Sequence, residues 1–543
     1  MTDAAQMQAQ VMGKLVGPGG PFEMVPAEVF GTTLPVFANR DRNLQQVLAD
    51  SAQYGDRPYI ITREETLSFT DHLREVAGLA EKLRTDHGIE AGDRVMIAGA
   101  NRVEWIVAFW AIQALGAVAV AGNAWWSARE WAHGLGLTTP KLVVADRKRA
   151  DAMAEVIGDL PLLSFDDVRG HGTSDSALPE VSCDEMDPAA ILFTSGTSGL
   201  AKAVTHVHLN MSMVNAYHRM NDAIATAFGD PTDPKDKRYL LALPLFHIAS
   251  LHNLAMPRLA TGSTVVLHLG AFDVDQVCRL IESARVTSWG APPTMAHRMV
   301  EHGVEGYDLS SLTSFALATA PSSPAFKERV RAGLPFATQM VDSYGMTETS
   351  TGAAVATPMD VINHPGTVGR AGLGIQIEIR DVFNEPVADG VEGEVCVRSA
   401  YNMAGYWGNE EATRQALEPD HWLHTGDIGM LRDGLLYLTS RRSDLILRGG
   451  ENVYPAEVEN VLTEHPAVRE VAVVGIEHAD LGQEVMAVVV IDDRAEVSEE
   501  ALQEYAAGQL AYYKVPSKWQ LTTEPLPRNA TGKVARKQLP GQG

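Results

Sequence analysis

Positive charge is scarce in this sequence. Of 543 residues, 44 are Lys or Arg against 69 Asp or Glu, a formal net charge of −25. So acidic a chain repels polyphosphate backbones and anionic membrane surfaces, which excludes nucleic-acid binding as its main task. Cysteine is scarcer still. Cys183, Cys278 and Cys396 are far apart and odd in number, so they make neither a disulfide framework nor a CxxC metal pair. They suit a reducing cytoplasm. Long apolar runs are missing too. Residues 106–122 are interrupted by Gln113 and Gly116 and fall short of the roughly 20 residues that span a bilayer. They are predicted as a buried helix, Glu104 to Leu115, followed by a short strand, Ala117 to Ala121. The first residues lack a basic start before an apolar stretch, so no secretory signal is expected. Repeats and low-complexity segments are absent.

What is present is the composition of a folded protein, 45% hydrophobic and 21% charged, long enough for about three to four domain-sized units or one large unit and a smaller one. Short apolar, strand-like runs at 94–98, 141–145, 239–243 and 264–267 alternate with helical patterns. Between Asp273 and Arg285, Val274, Val277, Leu280, Ile281 and Ala284 form a stripe at helical spacing, the mark of a helix packed on a sheet. The alternation predicts an α/β fold with largely parallel strands. A compositional break at Thr439-Ser-Arg-Arg-Ser-Asp444 follows a strand-like run, Leu435 to Thr439. After it comes a compact pattern: helix Pro455 to Glu464, strands Val468 to Gly475 and Val485 to Ile491, helix Glu499 to Leu510. The expected division is therefore 1–441 and 442–543.

A strand, residues 187–193, leads straight into Thr194-Ser-Gly-Thr-Ser-Gly-Leu-Ala-Lys202. Glycines let the backbone approach a ligand, hydroxyls and amides donate to phosphate oxygens, and a lysine adds a point charge. The loop is not the GxxxxGK[ST] of ordinary nucleotide-binding loops, since no hydroxyl follows Lys202. Three further segments stand downstream: Asp342-Ser-Tyr-Gly-Met-Thr-Glu348, Leu423-His-Thr-Gly-Asp427 and Pro527-Arg-Asn-Ala-Thr-Gly-Lys533. With Ser440-Arg-Arg-Ser-Asp-Leu-Ile-Leu-Arg-Gly-Gly-Glu-Asn452, their order and spacing resemble the adenylate-forming superfamily: acyl-CoA synthetases, adenylation domains of peptide synthetases and firefly luciferase. The resemblance spans about Asn43 to Leu539, and five motifs in the right order are highly specific. The Gly-Gly-Glu-Asn form is most similar to medium- and long-chain acyl-CoA and aryl-CoA ligases.

The resemblance implies a large N-terminal domain of stacked α/β layers plus a small, mobile α+β C-terminal domain. It also implies a two-step reaction. A carboxylate attacks the α-phosphate of ATP, giving an acyl-adenylate and pyrophosphate, and coenzyme A then displaces AMP. Charge builds on oxygen in both steps, so positioned cations and donors should supply most of the catalysis. Thr194, Ser195, Gly196, Thr197, Ser198, Gly199 and Lys202 match the loop over the β- and γ-phosphates; the proline that commonly precedes the lysine is Ala201 here. Tyr344 matches the ring on which adenine stacks, Thr347 the hydroxyl at the α-phosphate, and Glu348 the carboxylate that holds Mg²⁺. Asp427 matches the carboxylate that takes both ribose hydroxyls, and Arg441 a second ribose contact. Lys533 matches the lysine that neutralises charge between carboxylate and α-phosphate. His247 matches an aromatic position that gates the acyl pocket. A zinc site on His247 and His252 lacks helical i,i+4 spacing and a third ligand. A Ser-His-Asp hydrolase lacks its GxSxG elbow.

Relatives rotate the small domain between the two steps about a hinge that is usually Asp or Lys. The matching position is Ser443, followed by Asp444. After rotation Gly449 and Gly450 should line the pantetheine channel. Ala318 and Thr319 stand where relatives often carry Gly-Gly, which should narrow the acyl pocket, and Trp289 matches another wall of it. No Lys or Arg in these segments can hold a second carboxylate. The expectation is thus an AMP-forming acyl-CoA ligase that uses ATP, Mg²⁺ and coenzyme A on a hydrophobic carboxylic acid: fatty, aryl-alkanoic or steroid side-chain. It is expected in the cytoplasm, with no membrane span and a homodimer left open. The competing readings are an acyl-AMP ligase that loads a carrier protein, a luciferase-like oxygenase, and a non-catalytic nucleotide-binding homologue. The last predicts loss of Glu348 or Lys533, and both are present.

Overall fold

The computed structural model describes every residue except 1–2, 195–200, 320–321, 442–443, 449–450, 479–480, 493–496, 511, 529–532 and 541–543. The chain is an α/β protein with a large N-terminal domain and a separate small C-terminal one. Two sheets carry the large domain. In the seven-stranded sheet, Leu162–Ser164, Leu142–Ala145, Arg94–Ala98, Val118–Gly122 and Pro188–Thr194 run parallel. Lys202–Val207 then turns back antiparallel on Pro188–Thr194, and the short strand Gly405–Tyr406 closes that edge.

The thirteen-stranded sheet has a parallel half and an antiparallel half. Pro58–Ile61, Thr264–Leu267, Arg238–Leu241, Ser288–Ala291, Ser314–Leu317 and Met340–Gly345 are parallel. Met340–Gly345 then pairs antiparallel with Gly352–Ala356, and the rest of that side continues through Trp422–Arg432 and Leu435–Arg441. Ligands of open α/β sheets bind at the carboxyl ends of strands, where the topology switches. Met340–Gly345 delivers the Tyr-Gly-Met-Thr-Glu string to such an end.

Helices cover both faces. Val103–Ala114 is buried on every side, between Phe69–His87 and the sheets, which is why its sequence is apolar all round. Among the described residues no helix is long and apolar enough to cross a membrane. Val274–Ala284 buries Val277, Cys278, Leu280, Ile281 and Ala284, and Asp273 caps its N-terminus by accepting from the Gln276 amide.

Leu435–Arg441 is the last strand of the large sheet in chain order, and Ile446–Arg448 opens the five-stranded sheet of the small domain. There Val468–His478 and Gly482–Ile491 form a long hairpin, with the helices Pro455–Thr463 and Glu499–Ala507 packed on it. The hairpin outruns the sequence expectation, in which the first strand stops at Gly475. That glycine pairs in register with Val485, and pairing continues to His478 opposite Gly482. Cross-strand partners override the local break.

Candidate functional site

Tyr344 is buried near the end of its strand, and its hydroxyl donates to Asp427 Oδ2 at 2.7 Å. Asp427 is itself held by its own turn. Its amide donates to Thr425 Oγ1 at 3.1 Å, and Thr425 Oγ1 donates to the Val395 carbonyl at 2.7 Å. Between them Gly426 has φ +72°, a backbone that L side chains rarely adopt, and donates its amide to Glu394 Oε1 at 3.1 Å. In the ladder Arg441 lies directly opposite Asp427. The fold therefore brings together the residues expected at adenine and ribose.

Thr347, Glu348 and Thr349 form one turn of 3₁₀ helix after Met346. Gly345 lets that turn fold back, because a Cβ there would stand 2.5 Å from the Thr351 carbonyl. Glu348 is buried and accepts from the Tyr406 hydroxyl at 2.9 Å. Burial, with the Glu348 charge added, pushes the Tyr406 phenol well up, so it stays a donor. The ammonium of Lys202 sits over the Tyr406 ring, 4.6 Å from its centre. Lys202 pairs in register with Thr194, so these two flank the glycine-rich loop. Ser195, Gly196, Thr197, Ser198 and Gly199 lie outside the described residues.

The turn is clamped from behind. Ser350 has φ +59°, uncommon for a non-glycine residue. Its hydroxyl donates to the Tyr401 carbonyl at 2.6 Å and lies 2.9 Å from His206 Nδ1, which leaves the proton of that second contact on the imidazole. Burial pushes His206 down to about 3, so it is neutral. Asn253 Nδ2 donates to the Ser350 carbonyl at 2.9 Å, and Thr351 Oγ1 donates to Asn253 Oδ1 at 2.6 Å.

Asn253 belongs to the segment that carries His247. Burial first, and then the charge of Lys533, push His247 down to about 3. Its imidazole is thus neutral, with no hydrogen-bond partner at Nε2 among the described residues. Phe246 lies tilted against it, ring centres 4.4 Å apart, and meets Trp125 edge-on at 5.0 Å. The charge of Lys533, in the small domain, thus reaches His247. Asp444 pairs with Arg536 Nε at 3.4 Å, three residues beyond that lysine. Ser443, Gly449 and Gly450 lie outside the described residues.

Of the residues expected at the acyl pocket, Ala318 and Thr319 are half-buried just after Ser314–Leu317. Thr319 has φ +73°, strained for a β-branched residue, and a buried hydroxyl without a partner among the described residues. Trp289 does not join them. Its ring lies in the apolar core with Phe272, Phe315 and Phe336, at 6.5, 5.6 and 6.4 Å. Successive strand residues face opposite ways, so the next residue, Gly290, faces away from that core; a Cβ there would meet nothing within 4 Å.

Among the described residues one cluster offers metal-ligand atoms, Glu394, Cys396 and His424. His424 Nδ1 lies 3.6 Å from Cys396 Sγ and 3.3 Å from Glu394, and Nε2 lies 2.9 Å from Glu418. Hydrogen bonds to Cys396 and Glu394 hold its pKa up at about 11, against burial. The cluster reads as an imidazolium held between carboxylates, bracing the turn that presents Asp427.

Residues 47–407 match the family model for AMP-binding enzymes, and residues 457–533 match that for the AMP-binding enzyme C-terminal domain. The chain belongs to the AMP-binding enzyme family. Feruloyl-CoA synthase from Amycolatopsis is 32% identical to it over 480 residues, 87% of this chain and 93% of that protein. Long-chain-fatty-acid–CoA ligase FadD13 of Mycobacterium tuberculosis is 33% identical over 480 residues, 86% and 91% of the two chains. Among solved structures, o-succinylbenzoate CoA synthetase (MenE) from Bacillus subtilis, in complex with the acyl-adenylate intermediate OSB-AMP, superposes with a TM-score of 0.79. It is 30% identical and covers 92% of this chain and 98% of its own. The same synthetase in complex with ATP and magnesium ion gives 0.78 at 30% identity, over 92% and 99%.

Four residues of this AMP-binding enzyme's site carry no sequence motif: His206, Asn253, Ser350 and Tyr406. Of these, Asn253 alone had a weak signal, a polar residue in an apolar segment six positions after His247.

Proposed function

We propose that this enzyme is an ATP-dependent acyl-CoA ligase that activates a hydrophobic carboxylic acid as its adenylate and passes it to coenzyme A, releasing pyrophosphate and then AMP. One observation carries the reading: the pair Tyr344–Asp427 and the chain Lys202–Tyr406–Glu348 meet at one sheet switch point, tied through Asn253 to the segment of His247, which feels the charge of Lys533. The names of the similar ligases and the adenylate held by the MenE structure support it.

Tyr344 offers adenine a ring whose tilt is fixed by Asp427, and the Asp427 carboxylate takes the ribose diol, with Arg441 opposite. The Thr194–Lys202 loop takes the β- and γ-phosphates, and the Thr347 hydroxyl the α-phosphate. Glu348 fits a hard divalent cation: it is a buried carboxylate, oriented by one phenol, next to the phosphate-loop lysine. Mg²⁺ held there by Glu348 would neutralise phosphate charge. Lys533 brings its charge to where the substrate carboxylate approaches the α-phosphate, and neutral His247 borders that approach without adding a second cation. The small domain, from about residue 442, then turns about Ser443 and Asp444 and brings Gly449 and Gly450 to the pantetheine arm.

The open space in front of Gly290 suits an apolar acid, and Ala318 and Thr319, in place of glycines, would narrow it. Three free cysteines suit a cytoplasmic enzyme. A panel of fatty, aryl-alkanoic and steroid side-chain acids with ATP, Mg²⁺ and coenzyme A tests the reading. The expected result is AMP, pyrophosphate and a coenzyme A thioester from at least one apolar acid. Pyrophosphate without the thioester would move the protein to acyl-AMP ligases, and no pyrophosphate from any acid would refute the activity.

A further inference from the structure

Lys202 and Glu348 carry opposite charges on adjoining elements, and in a buried site the simplest outcome is a direct ion pair. Among the described residues Lys202 forms no ion pair; its ammonium lies over a phenol ring, and the hydroxyl of that ring donates to the carboxylate. We infer that Tyr406 is a positioning residue that spaces the phosphate-loop lysine from the metal carboxylate and holds both ready for nucleotide. The inference rests on the adenylating reading of this site.

The scaffold around Tyr406 is rigid. Tyr406 pairs with Val204 on the strand that begins at Lys202, and the flanking amides of Ala404 and Trp407 donate to Thr205 and Ala203 at 2.9 and 2.7 Å. The Tyr406 amide donates to Thr413 Oγ1 at 2.9 Å, and the ring is buried with Val204, Met403 and Leu423. A ring so fixed sets two distances at once. Its face attracts the ammonium through the aromatic quadrupole, a contact weak enough to give way to a phosphate. Its edge hydroxyl makes a charge-assisted bond to Glu348 Oε1, which orients the carboxylate for a cation. Were the phenol absent, the lysine could collapse onto the carboxylate, and nucleotide and metal would each have to break that pair before binding.

Tyr406→Phe keeps the ring and removes the bond; Tyr406→Leu removes both. Calorimetric titration of ATP at a series of Mg²⁺ concentrations, with no acid present, separates the two contacts. Tyr406→Phe is expected to need about tenfold more Mg²⁺ for half-maximal ATP binding, the loss of one bond to a charged group, with ATP affinity at saturating Mg²⁺ within about twofold of wild type. Tyr406→Leu is expected to weaken ATP binding at saturating Mg²⁺ as well, by about threefold or more. An unchanged Mg²⁺ dependence in Tyr406→Phe, or an equal loss at every Mg²⁺ concentration, overturns the inference. Should Tyr406→Leu not fold, the phenylalanine variant still decides. If the wild type binds ATP with Mg²⁺ yet activates no acid, the ligase reading falls while the spacing role is still decided by the same titration.

Discussion

Two single residues hold conformations or environments that cost free energy, and each makes a measurable forecast. Thr319 keeps a left-handed backbone of the kind that stores about 1–3 kcal/mol in a non-glycine residue. Glycine adopts that backbone freely and opens the acyl side. Thr319→Gly should therefore melt no lower than wild type. It should shift kcat/KM towards bulkier acids by about five- to a hundredfold and leave the KM for ATP unchanged. A lower melting temperature with the same acid ranking would show that the threonine is structural. His72 is fully buried edge-on to Tyr59, has no hydrogen-bond partner at either nitrogen among the described residues, and is pushed down to about 3 by burial. Its unfolded value is near 6.5. At pH 8 both states are neutral; at pH 5 only the unfolded chain takes the proton, which costs the native state about 2 kcal/mol. The contribution is whole above pH 6.5 and is lost as pH falls towards 3. His72→Leu should shrink the stability difference between pH 8 and pH 5 by about 2 kcal/mol in urea unfolding, whatever it does to packing. An unaltered pH dependence would mean that the imidazole is solvated in the native state.

At the scale of elements, the Thr347–Thr349 turn is held by neighbours that come from elsewhere in the chain. Asn253 ties it to the His247 segment through the Ser350 carbonyl and the Thr351 hydroxyl. Asn253→Ala leaves those groups unpaired, which should cost about 1–3 kcal/mol in stability. Because the same turn carries Thr347 and Glu348, pyrophosphate release should fall about tenfold or more. Asn253→Asp, which keeps the acceptor for Thr351, should lie between. Loss of stability with full activity would separate the clamp from the chemistry. The clamp also shows what one-dimensional reading can reach. Helix Val274–Ala284 and strand Thr264–Leu267 follow from local periodicity, and the nucleotide residues follow from strings with fixed spacing. His206, Ser350, Asn253 and Tyr406 meet only in space: His206 and Ser350 are 144 positions apart, Glu348 and Tyr406 58. Trp289 and Gly290 mark a subtler limit. The segment 289–295 is largely apolar, so nothing in it says which of two adjacent residues faces the core.

Across the whole molecule, charges of the two domains act on each other: among the described residues Arg469 pairs with Glu301, and the charge of Lys533 depresses His247. The second matters most for catalysis. A lysine near the substrate carboxylate helps only while two anions, carboxylate and α-phosphate, must approach each other, and that happens in the first step alone. Lys533→Ala should therefore slow acyl-adenylate formation by roughly a hundredfold or more, the scale of losing one preorganised charge stabiliser. It should leave thioester formation from a supplied acyl-adenylate near the wild-type rate. His247 supplies an internal control. With the Lys533 charge gone, burial alone holds the imidazole down, so its titration should move upward from about 3 but stay below 6.5. Carbon-bound imidazole proton shifts followed against pH would read this without any turnover. Equal loss of both steps, or an unmoved His247, would place the lysine elsewhere during the first step.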